Sequence, residues 1–151
     1  MSEQLMRKWT EGFAAADWDK VASTYADDVI GSDPTGSTYE GKEANLENDK
    51  GWRSTFSNFN FDFKTFHTSG NTTAVEFEIT ATMTGEMQMP DGSKIPATNK
   101  THTMSACGVM ETENNLIKNN RIYMDMVSMM TGFGIMPVSY THLTLPTILL
   151  V

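Results

Sequence analysis

Regular alternation of apolar and polar residues in the second half of the chain limits the folds that it can adopt. Between residues 75 and 83, apolar side chains take every odd position, and Glu or Thr takes every even one. The segment FNFDFKTF repeats the pattern through Phe59, Phe61 and Phe63. Because successive side chains of a β-strand point to opposite faces, both segments predict strands with one buried and one solvated face. Such strands are typical of antiparallel sheets.

Two further strands complete the predicted sheet, and three helices precede it. Residues 98–111 and 116–129 predict the strands, with the turn ENNL between them. Residues 3–16 carry apolar side chains at helical spacing, and Asp17 is placed to cap a second, short helix. Residues 42–57 predict a third helix, bent or interrupted near its glycine. Helices followed by strands predict an α+β fold, with about three N-terminal helices packed on one face of a curved antiparallel sheet.

Charge and cysteine content exclude several classes of partner. The net charge is −8, with 19 acidic and 11 scattered basic residues, so we expect neither nucleic-acid nor anionic-membrane binding. A single cysteine forms no intramolecular disulfide, and no run of 18 apolar residues is present. The N-terminal segment carries charges where a signal peptide would be apolar. We therefore expect a cytoplasmic protein without a membrane span.

Metal and cofactor motifs are absent from the sequence. It has three histidines, without the HxH or HExxH spacing that zinc sites use, and no glycine-rich phosphate loop. We therefore expect neither a metal nor a cofactor.

The last segment, VSYTHLTLPTILLV, departs from the alternating pattern. It is apolar without an amphipathic period and follows Pro137. We interpret residues 1–137 as the domain and residues 138–151 as a non-native, vector-derived or disordered tail. The alternative is a genuine C-terminal strand that adds to a sheet edge or to a dimer interface.

Several short motifs of the sequence resemble motifs of the nuclear transport factor 2-like superfamily, and within it those of the SnoaL-like polyketide cyclases. The motifs are YADDVIGSDP, YEGKEA, PATNK and NNLIKNNRIYMDMVSMMTGFGIMP, and the similarity spans residues 3–137. The resemblance implies a cone-shaped fold with a pocket between the helices and the sheet, taking a small apolar ligand. It also implies a homodimer that pairs through the flat, Thr-rich face of the sheet.

The turn Asp33-Pro34-Thr35-Gly36-Ser37 is similar to the Asp-Pro-x-Gly-Ser motif of the ketosteroid isomerases. That resemblance implies that Asp33 is a proton-transfer base, whereas the local sequence alone indicates a turn former. Trp9 and Cys107 take the positions of the isomerases' oxyanion-hole tyrosine and protonated aspartate. Because an indole N–H and a thiol are weaker donors there, we do not expect steroid isomerase activity.

Asp125 matches the aspartate that acts as general acid or base in the last strand of SnoaL-like cyclases. Its neighbours Met124 and Met126 are apolar, which would raise its pKa. In a regular strand, however, Asp125 lies on the face opposite to these methionines. It enters the pocket only if a bulge is present or if the strand presents the other face; otherwise it is exposed.

His102 is a third candidate for acid/base chemistry, because an imidazole titrates near neutral pH. The SnoaL-like cyclases keep a histidine on the preceding strand, where this chain has Met83. Strand alternation places His102 on the face opposite to Cys107. Cys107 has no nucleophile signature, so its alternative role is that of a small buried strand residue.

We expect a ligand cavity, if one is present, to be lined by aromatic and sulfur-containing side chains, namely Trp9, Phe13, Trp52, Phe56, Phe77, Met83 and Cys107. Side chains of this kind also form ordinary hydrophobic cores. In a cone-shaped fold the two roles are compatible, because the core and the pocket wall are one surface.

Three functions are compatible with these features. The first is a cofactor-free cyclase, isomerase or lyase that moves protons on an apolar carbonyl compound, with Asp33 and Asp125 as the acid/base pair. The second is a non-catalytic protein that binds a small ligand, and the third is a dimerisation module. The fold alone does not choose among them.

Overall fold

The computed structural model describes residues 2–89 and 91–136, which form four helices and eight strands. Their bounds in chain order are α1 Ser2–Ala15, α2 Trp18–Ala22, β1 Tyr25–Ser32, β2 Thr38–Glu40, α3 Lys42–Thr55, β3 Phe56–Ser69, β4 Thr72–Met83, β5 Met87–Gln88, β6 Lys94–Ile95, β7 Thr101–Glu113, β8 Leu116–Met124 and α4 Met126–Gly132.

Six strands form one curved sheet in the order β2-β1-β8-β7-β4-β3. Neighbouring strands are antiparallel except β1 and β8, which run parallel. Strands β5 and β6 form a separate two-stranded hairpin. The predicted α+β architecture is confirmed, with α1, α2 and α3 on one face of the sheet.

The alternation in β4 produces the buried face. The odd-numbered residues from Val75 to Met83 are each at most 6% exposed, and they share the hydrophobic core with Leu5, Met6 and Trp9 of α1. Burying each of the larger of these side chains, Val75, Phe77, Ile79 and Met83, contributes about 1.5–3 kcal/mol. On the outer face, threonine hydroxyls of β4 and β7 pair across the strands. This confirms the division into one buried and one solvated face.

Local signals fix where the helices begin. The Asp17 carboxylate accepts a hydrogen bond from the Lys20 backbone N–H at 3.0 Å, which confirms the predicted cap of α2. Gly41 precedes α3 with a φ of 85°, a conformation that glycine adopts without steric cost. Helix α3 then continues through Gly51, so the expected interruption there is wrong. Packing along α3 overrides the weak helix propensity of one glycine.

The prediction of a strand over residues 116–129 is wrong at its C-terminal end. Strand β8 ends at Met124, and Asp125 is the N-cap of α4. The Asp125 carboxylate accepts a hydrogen bond from the Ser128 backbone N–H at 3.0 Å. This bond satisfies an N–H group that has no partner within the helix, and it favours helix over further strand.

The predicted tail, residues 138–151, lies outside the described residues, as do Met1, Pro90 and Pro137. Its interpretation as non-native stays a prediction. Within the described ranges, no helix is long and apolar enough to cross a membrane.

Candidate functional site

A cavity of about 90 Å³ lies between the helices and the inner face of the sheet. Its apolar wall includes Trp9, Phe13, Trp52, Phe56, Phe59, Phe61 and Phe77, and its polar residues include Tyr25, Asp33, Asn45, Asn48, Asp49 and Asn120. The volume exceeds what a water molecule needs but is smaller than the roughly 300–1,000 Å³ of pockets for drug-sized ligands. It therefore suits a small ligand or the reactive end of a larger one.

Five of the seven predicted pocket residues line this cavity: Trp9, Phe13, Trp52, Phe56 and Phe77. The structure brings them together from α1, α3, β3 and β4. Trp9 and Phe13 stack with ring centroids 5.1 Å apart, and Trp52 and Phe56 stack at 6.0 Å. These pairs form a rigid aromatic wall.

Met83 and Cys107 do not line the cavity, in contrast to the prediction. Met83 is fully buried at the end of β4, where the Thr98 hydroxyl donates to its sulfur at 3.7 Å. Cys107 lies opposite Glu76 and Tyr123 in the sheet, on the outer face. The inner face of β7 carries the even-numbered residues, so the odd-numbered position of Cys107 points it away from the cavity.

Asp33 lies at the rim of the cavity, in the turn between β1 and β2. One carboxylate oxygen accepts hydrogen bonds from the backbone N–H and the hydroxyl of Thr35, and the other accepts from the Tyr39 hydroxyl at 3.0 Å. These bonds are those of a turn former. The role of Asp33 as a proton-transfer base stays a prediction.

The other two predicted catalytic residues, Asp125 and His102, meet at Ser128 and do not line the cavity. Asp125 is exposed and caps α4. His102 lies on the inner face of β7 beneath α4, with its Nε2 atom 3.4 Å from the Ser128 hydroxyl and its ring edge-on to Phe133. The structure therefore does not bring the three predicted catalytic side chains into one site.

The cavity also contains a buried hydrogen-bond network that was not predicted from the sequence. It joins Trp9, Tyr25 and Asp49. The indole Nε1–H of Trp9 donates to the Tyr25 hydroxyl at 2.6 Å, and that hydroxyl donates to Asp49 Oδ2 at 2.8 Å. The three residues come from α1, β1 and α3, and Asp49 is only 7% exposed. A signal was present, because Asn45, Asp49 and Trp52 recur at helical spacing on one face of α3.

Burial shifts the pKa values of the two titratable groups in this network, Asp49 and Tyr25. Loss of solvent raises the pKa of Asp49 to about 7, because it outweighs the hydrogen bond from Tyr25, which lowers it. Burial, with the nearby Asp49 charge, raises the pKa of the Tyr25 hydroxyl well above its ordinary value. Tyr25 therefore keeps its proton, while Asp49 exchanges its own near neutral pH. A carboxyl group of this kind can act as a general acid or as a general base.

Asn45 holds the polar side of the cavity in place. Its Nδ2 donates to the backbone carbonyls of Tyr39 at 3.1 Å and Gly41 at 2.8 Å, which ties α3 to the β1–β2 hairpin. Gly31 makes this approach possible, because a Cβ there would lie 1.9 Å from Asn45 Oδ1. Asn45 is therefore a structural residue of the site.

A wider groove of about 680 Å³ adjoins the cavity. It is lined by residues that include Met87, Met89, Met126 and Met130, and it shares Asn48, Trp52, Phe56 and Met129 with the cavity. Methionine side chains adapt to ligands of varied shape. The groove therefore offers space for atoms that the inner cavity cannot hold. Among residues 2–89 and 91–136, no three His, Cys, Asp or Glu side chains are grouped as a metal site requires.

Comparison with protein families identifies the chain. The sequence profile described as SnoaL-like polyketide cyclase matches residues 3–132. The chain belongs to the SnoaL-like polyketide cyclase family. This match confirms the resemblance to SnoaL-like cyclases inferred from short sequence motifs. All residues that line the cavity fall within the matched range. No curated protein sequence matches the chain.

Solved structures share the fold of this SnoaL-like protein. A protein from Jannaschia sp. CCS1, assigned as a SnoaL-like polyketide cyclase, has a TM-score of 0.77 and 17% identity, over 90% of this chain and 92% of its own. A protein from Catenulispora acidiphila with a ketosteroid isomerase-like fold, in complex with trimethylamine, has a TM-score of 0.72 and 14% identity, over 86% and 92%. An LEH-like epoxide hydrolase from M. tuberculosis has a TM-score of 0.66 and 16% identity, over 86% of both chains. At these identities the likeness concerns the fold alone.

Proposed function

We propose that this SnoaL-like protein binds a small apolar carbonyl compound in the inner cavity and moves a proton on it without a cofactor, as a cyclase or isomerase does. The observation that carries the proposal is Asp49, a buried carboxyl group in an apolar cavity whose pKa is raised to about 7. Such a group can both take and return a proton at neutral pH. The protein has a single cysteine, which suits the reducing cytoplasm, and we propose the cytoplasm as the location of the protein.

The chemical step is an enolisation. The Asp49 carboxylate takes a proton from the carbon next to the substrate carbonyl, and the electron pair of that C–H bond moves onto the carbonyl oxygen as an enolate. Asp49 then returns the proton to another atom of the same substrate, so the carboxyl group is unchanged after the cycle. The Tyr25 hydroxyl, hydrogen-bonded at 2.8 Å, fixes the orientation of the carboxyl group throughout. Asp33, at the rim, is proposed as a second carboxylate for proton exchange with solvent.

The size of the cavity limits the substrate. About 90 Å³ accommodates a few non-hydrogen atoms, so only the reacting part of a polycyclic molecule fits inside. The adjoining groove takes the remainder, since Trp52 and Phe56 line both spaces. The trimethylamine in the Catenulispora structure is a ligand of the size that the inner cavity alone would hold.

Exchange of α-protons for deuterium tests the proposal. In D₂O at neutral pH, the protein should accelerate exchange in cyclopentanone and 2-butanone, followed by proton NMR. Asp49→Asn removes the base but keeps a hydrogen-bond acceptor for Tyr25, so we expect a loss of about 10²–10⁴-fold.

The matched control is Asp125→Asn, which removes a carboxylate outside the cavity and retains a good N-cap residue. It should exchange at the parent rate. A rate that depends on Asp125 and is indifferent to Asp49 would refute the assignment of the base.

Ligand binding without catalysis is the second candidate function. Both Asp33 oxygens and the Tyr25 hydroxyl are occupied by hydrogen bonds within the protein, an arrangement that suits a rigid binding wall. Saturable quenching of tryptophan fluorescence by these ketones, with no exchange above buffer, would favour this function.

A further inference from the structure

We infer that Asn48 is the hydrogen-bond donor for the carbonyl oxygen of the substrate, and that it stabilises the enolate that forms when Asp49 takes the α-proton. The inference rests on the proposed function, to which it adds a second catalytic residue. Asn48 transfers no proton. Its amide N–H group donates a hydrogen bond to the oxygen on which the negative charge collects.

An enolate in this cavity needs such a donor. Among the described residues, no Lys, Arg or His lines the cavity or the adjoining groove, so no cationic side chain neutralises the new charge. The phenylalanine rings of the wall present no hydrogen-bond donor. In a site that excludes water, one donor aimed at the developing charge contributes about 10²–10³ in rate. A neutral donor at the cavity therefore has a large effect on the proposed reaction.

Several donors of the cavity wall are already engaged within the protein. The Trp9 indole donates to Tyr25, and the Tyr25 hydroxyl donates to Asp49. The Asn45 amide donates to backbone carbonyls. Cys107, at the second oxyanion position of the isomerases, lies on the outer face of the sheet. The two oxyanion positions implied by the sequence resemblance therefore supply no donor to the cavity.

Asn48 has an amide that is open to the space around it. The residue is half-buried, and its side chain makes no hydrogen bond with another described residue. Its nitrogen and oxygen are not among the fully buried atoms that lack a partner, so a ligand can reach both. Asn48 lines the cavity and also the groove. It therefore lies at the boundary where the reacting end of the substrate meets the remainder.

The position of Asn48 relative to Asp49 decides among the uncommitted donors. The two residues are consecutive in α3, so their side chains leave the helix about 100° apart, and both line the cavity. A base and an oxyanion donor must reach adjacent atoms of one molecule, the α-carbon and the carbonyl group. Ser32 and Asn120 lie on other elements and line the inner cavity alone, and Trp52 follows almost one turn later in α3. Asn48 is thus the uncommitted donor next to the base.

Infrared spectroscopy of a bound ketone tests the hydrogen bond without requiring catalysis. Spectra of cyclopentanone with and without an isotope label at the carbonyl carbon are subtracted, which isolates its C=O stretching band from the amide bands of the protein. A hydrogen bond to the carbonyl oxygen weakens the C=O bond and lowers its stretching frequency. Asn48→Leu keeps a side chain of similar size but lacks the donor. We expect it to raise the frequency toward that of cyclopentanone in hexane.

Deuterium exchange measures the catalytic share of the same hydrogen bond. In Asn48→Leu we expect kcat to fall about 10²–10³-fold with little change in KM, because the bond to the charged enolate is stronger than the bond to the neutral ketone. Asn48→Gln keeps an amide donor and should recover part of kcat and part of the frequency shift.

The Tm separates this role from a structural one. Leucine is a better helix former than asparagine, so Asn48→Leu should retain or raise the Tm. A purely structural role would lower the Tm and leave the carbonyl frequency unchanged. Asn48→Ala provides the same comparison of frequency and kcat if the leucine variant does not fold.

The control variant is Asn119→Leu in β8, at an asparagine that lines neither the cavity nor the groove. It should keep the parent frequency and kcat. The inference is overturned if Asn48→Leu and Asn48→Ala keep the parent frequency, or if no ketone binds. A frequency that depends on Asn48, without deuterium exchange in any ketone, supports the donor and refutes the proposed reaction. Exchange that depends on Asp49, with frequency and kcat unchanged in Asn48→Leu, refutes the donor and supports the reaction.

Discussion

Asp49 is the one buried carboxyl group among residues 2–89 and 91–136, and its position explains what the sequence could and could not predict about the site. The burial of aromatic residues such as Trp9 and Phe77, which line the cavity, follows from periodicity. Asp49 was missed because an aspartate in a polar helical segment usually faces solvent. Only the fold shows that Tyr25, 24 residues earlier, supplies its hydrogen bond.

The raised pKa of Asp49 predicts a specific dependence of stability on pH. Below about pH 4 the carboxyl group is protonated in both the folded and the unfolded chain. As the pH rises from about 4 to 7, the unfolded chain releases this proton first, so the free energy of unfolding falls. With a folded pKa of about 7, the total loss is at most about 4 kcal/mol.

Asp49→Asn removes this titration, so its stability should exceed that of the parent increasingly from pH 4 to pH 7 and by a constant amount above pH 8. Urea denaturation of both proteins across this range measures the difference, in which the other titrating groups cancel. Two parallel curves would mean that the pKa of Asp49 is ordinary.

At the level of helices and strands, the alternating segments correctly predicted strands β3 and β4, and Asp17 correctly predicted the start of α2. The end of β8 was not predicted, because Met124 and Met126 continue an apparent strand pattern through Asp125. The local signal that decides it is an aspartate three residues before Ser128, whose N–H it caps. Capping, not periodicity, therefore determines where this strand ends.

Asp125→Ala should lower the free energy of unfolding by about 0.5–2 kcal/mol, since the N-cap hydrogen bond of α4 is lost. Asp125→Ser should recover most of that stability, because serine also caps helices well. Chemical denaturation of the three proteins measures both effects. A fully stable alanine variant would show that the cap contributes nothing to the fold.

At the scale of the whole molecule, the helices cover one face of the sheet and leave the other to solvent. The outer face carries pairs of threonines, Thr80 with Thr103 and Thr82 with Thr101, whose hydroxyls lie 2.8 Å apart in each pair. Tyr123 on the same face is 56% exposed. The homodimer implied by the family resemblance remains a proposal, and this face is where we expect the subunits to meet.

Light scattering coupled to size-exclusion chromatography tests the dimer. The parent protein should elute with the mass of two chains, and Thr103→Glu should shift it toward one, because the substitution brings like charges together across a two-fold axis. Glu43→Lys, an exposed change on α3, should leave the mass unaltered. A parent protein with the mass of one chain would rule out this assembly.

The parallel pairing of β1 with β8 has a consequence for the order in which the molecule folds. The ion pair between Asp28 and Lys118 joins residues that are 90 positions apart, and the neighbouring strand contacts span similar distances along the chain. Contacts this remote in sequence form late, because the entropy of closing a long loop must be overcome first. The hairpins of β3, β4, β7 and β8 can pair earlier, whereas Asn120 meets Gly31 only when β1 docks against β8. We therefore expect the cavity to be completed late in folding, so that a small molecule binds in it only after β1 has docked.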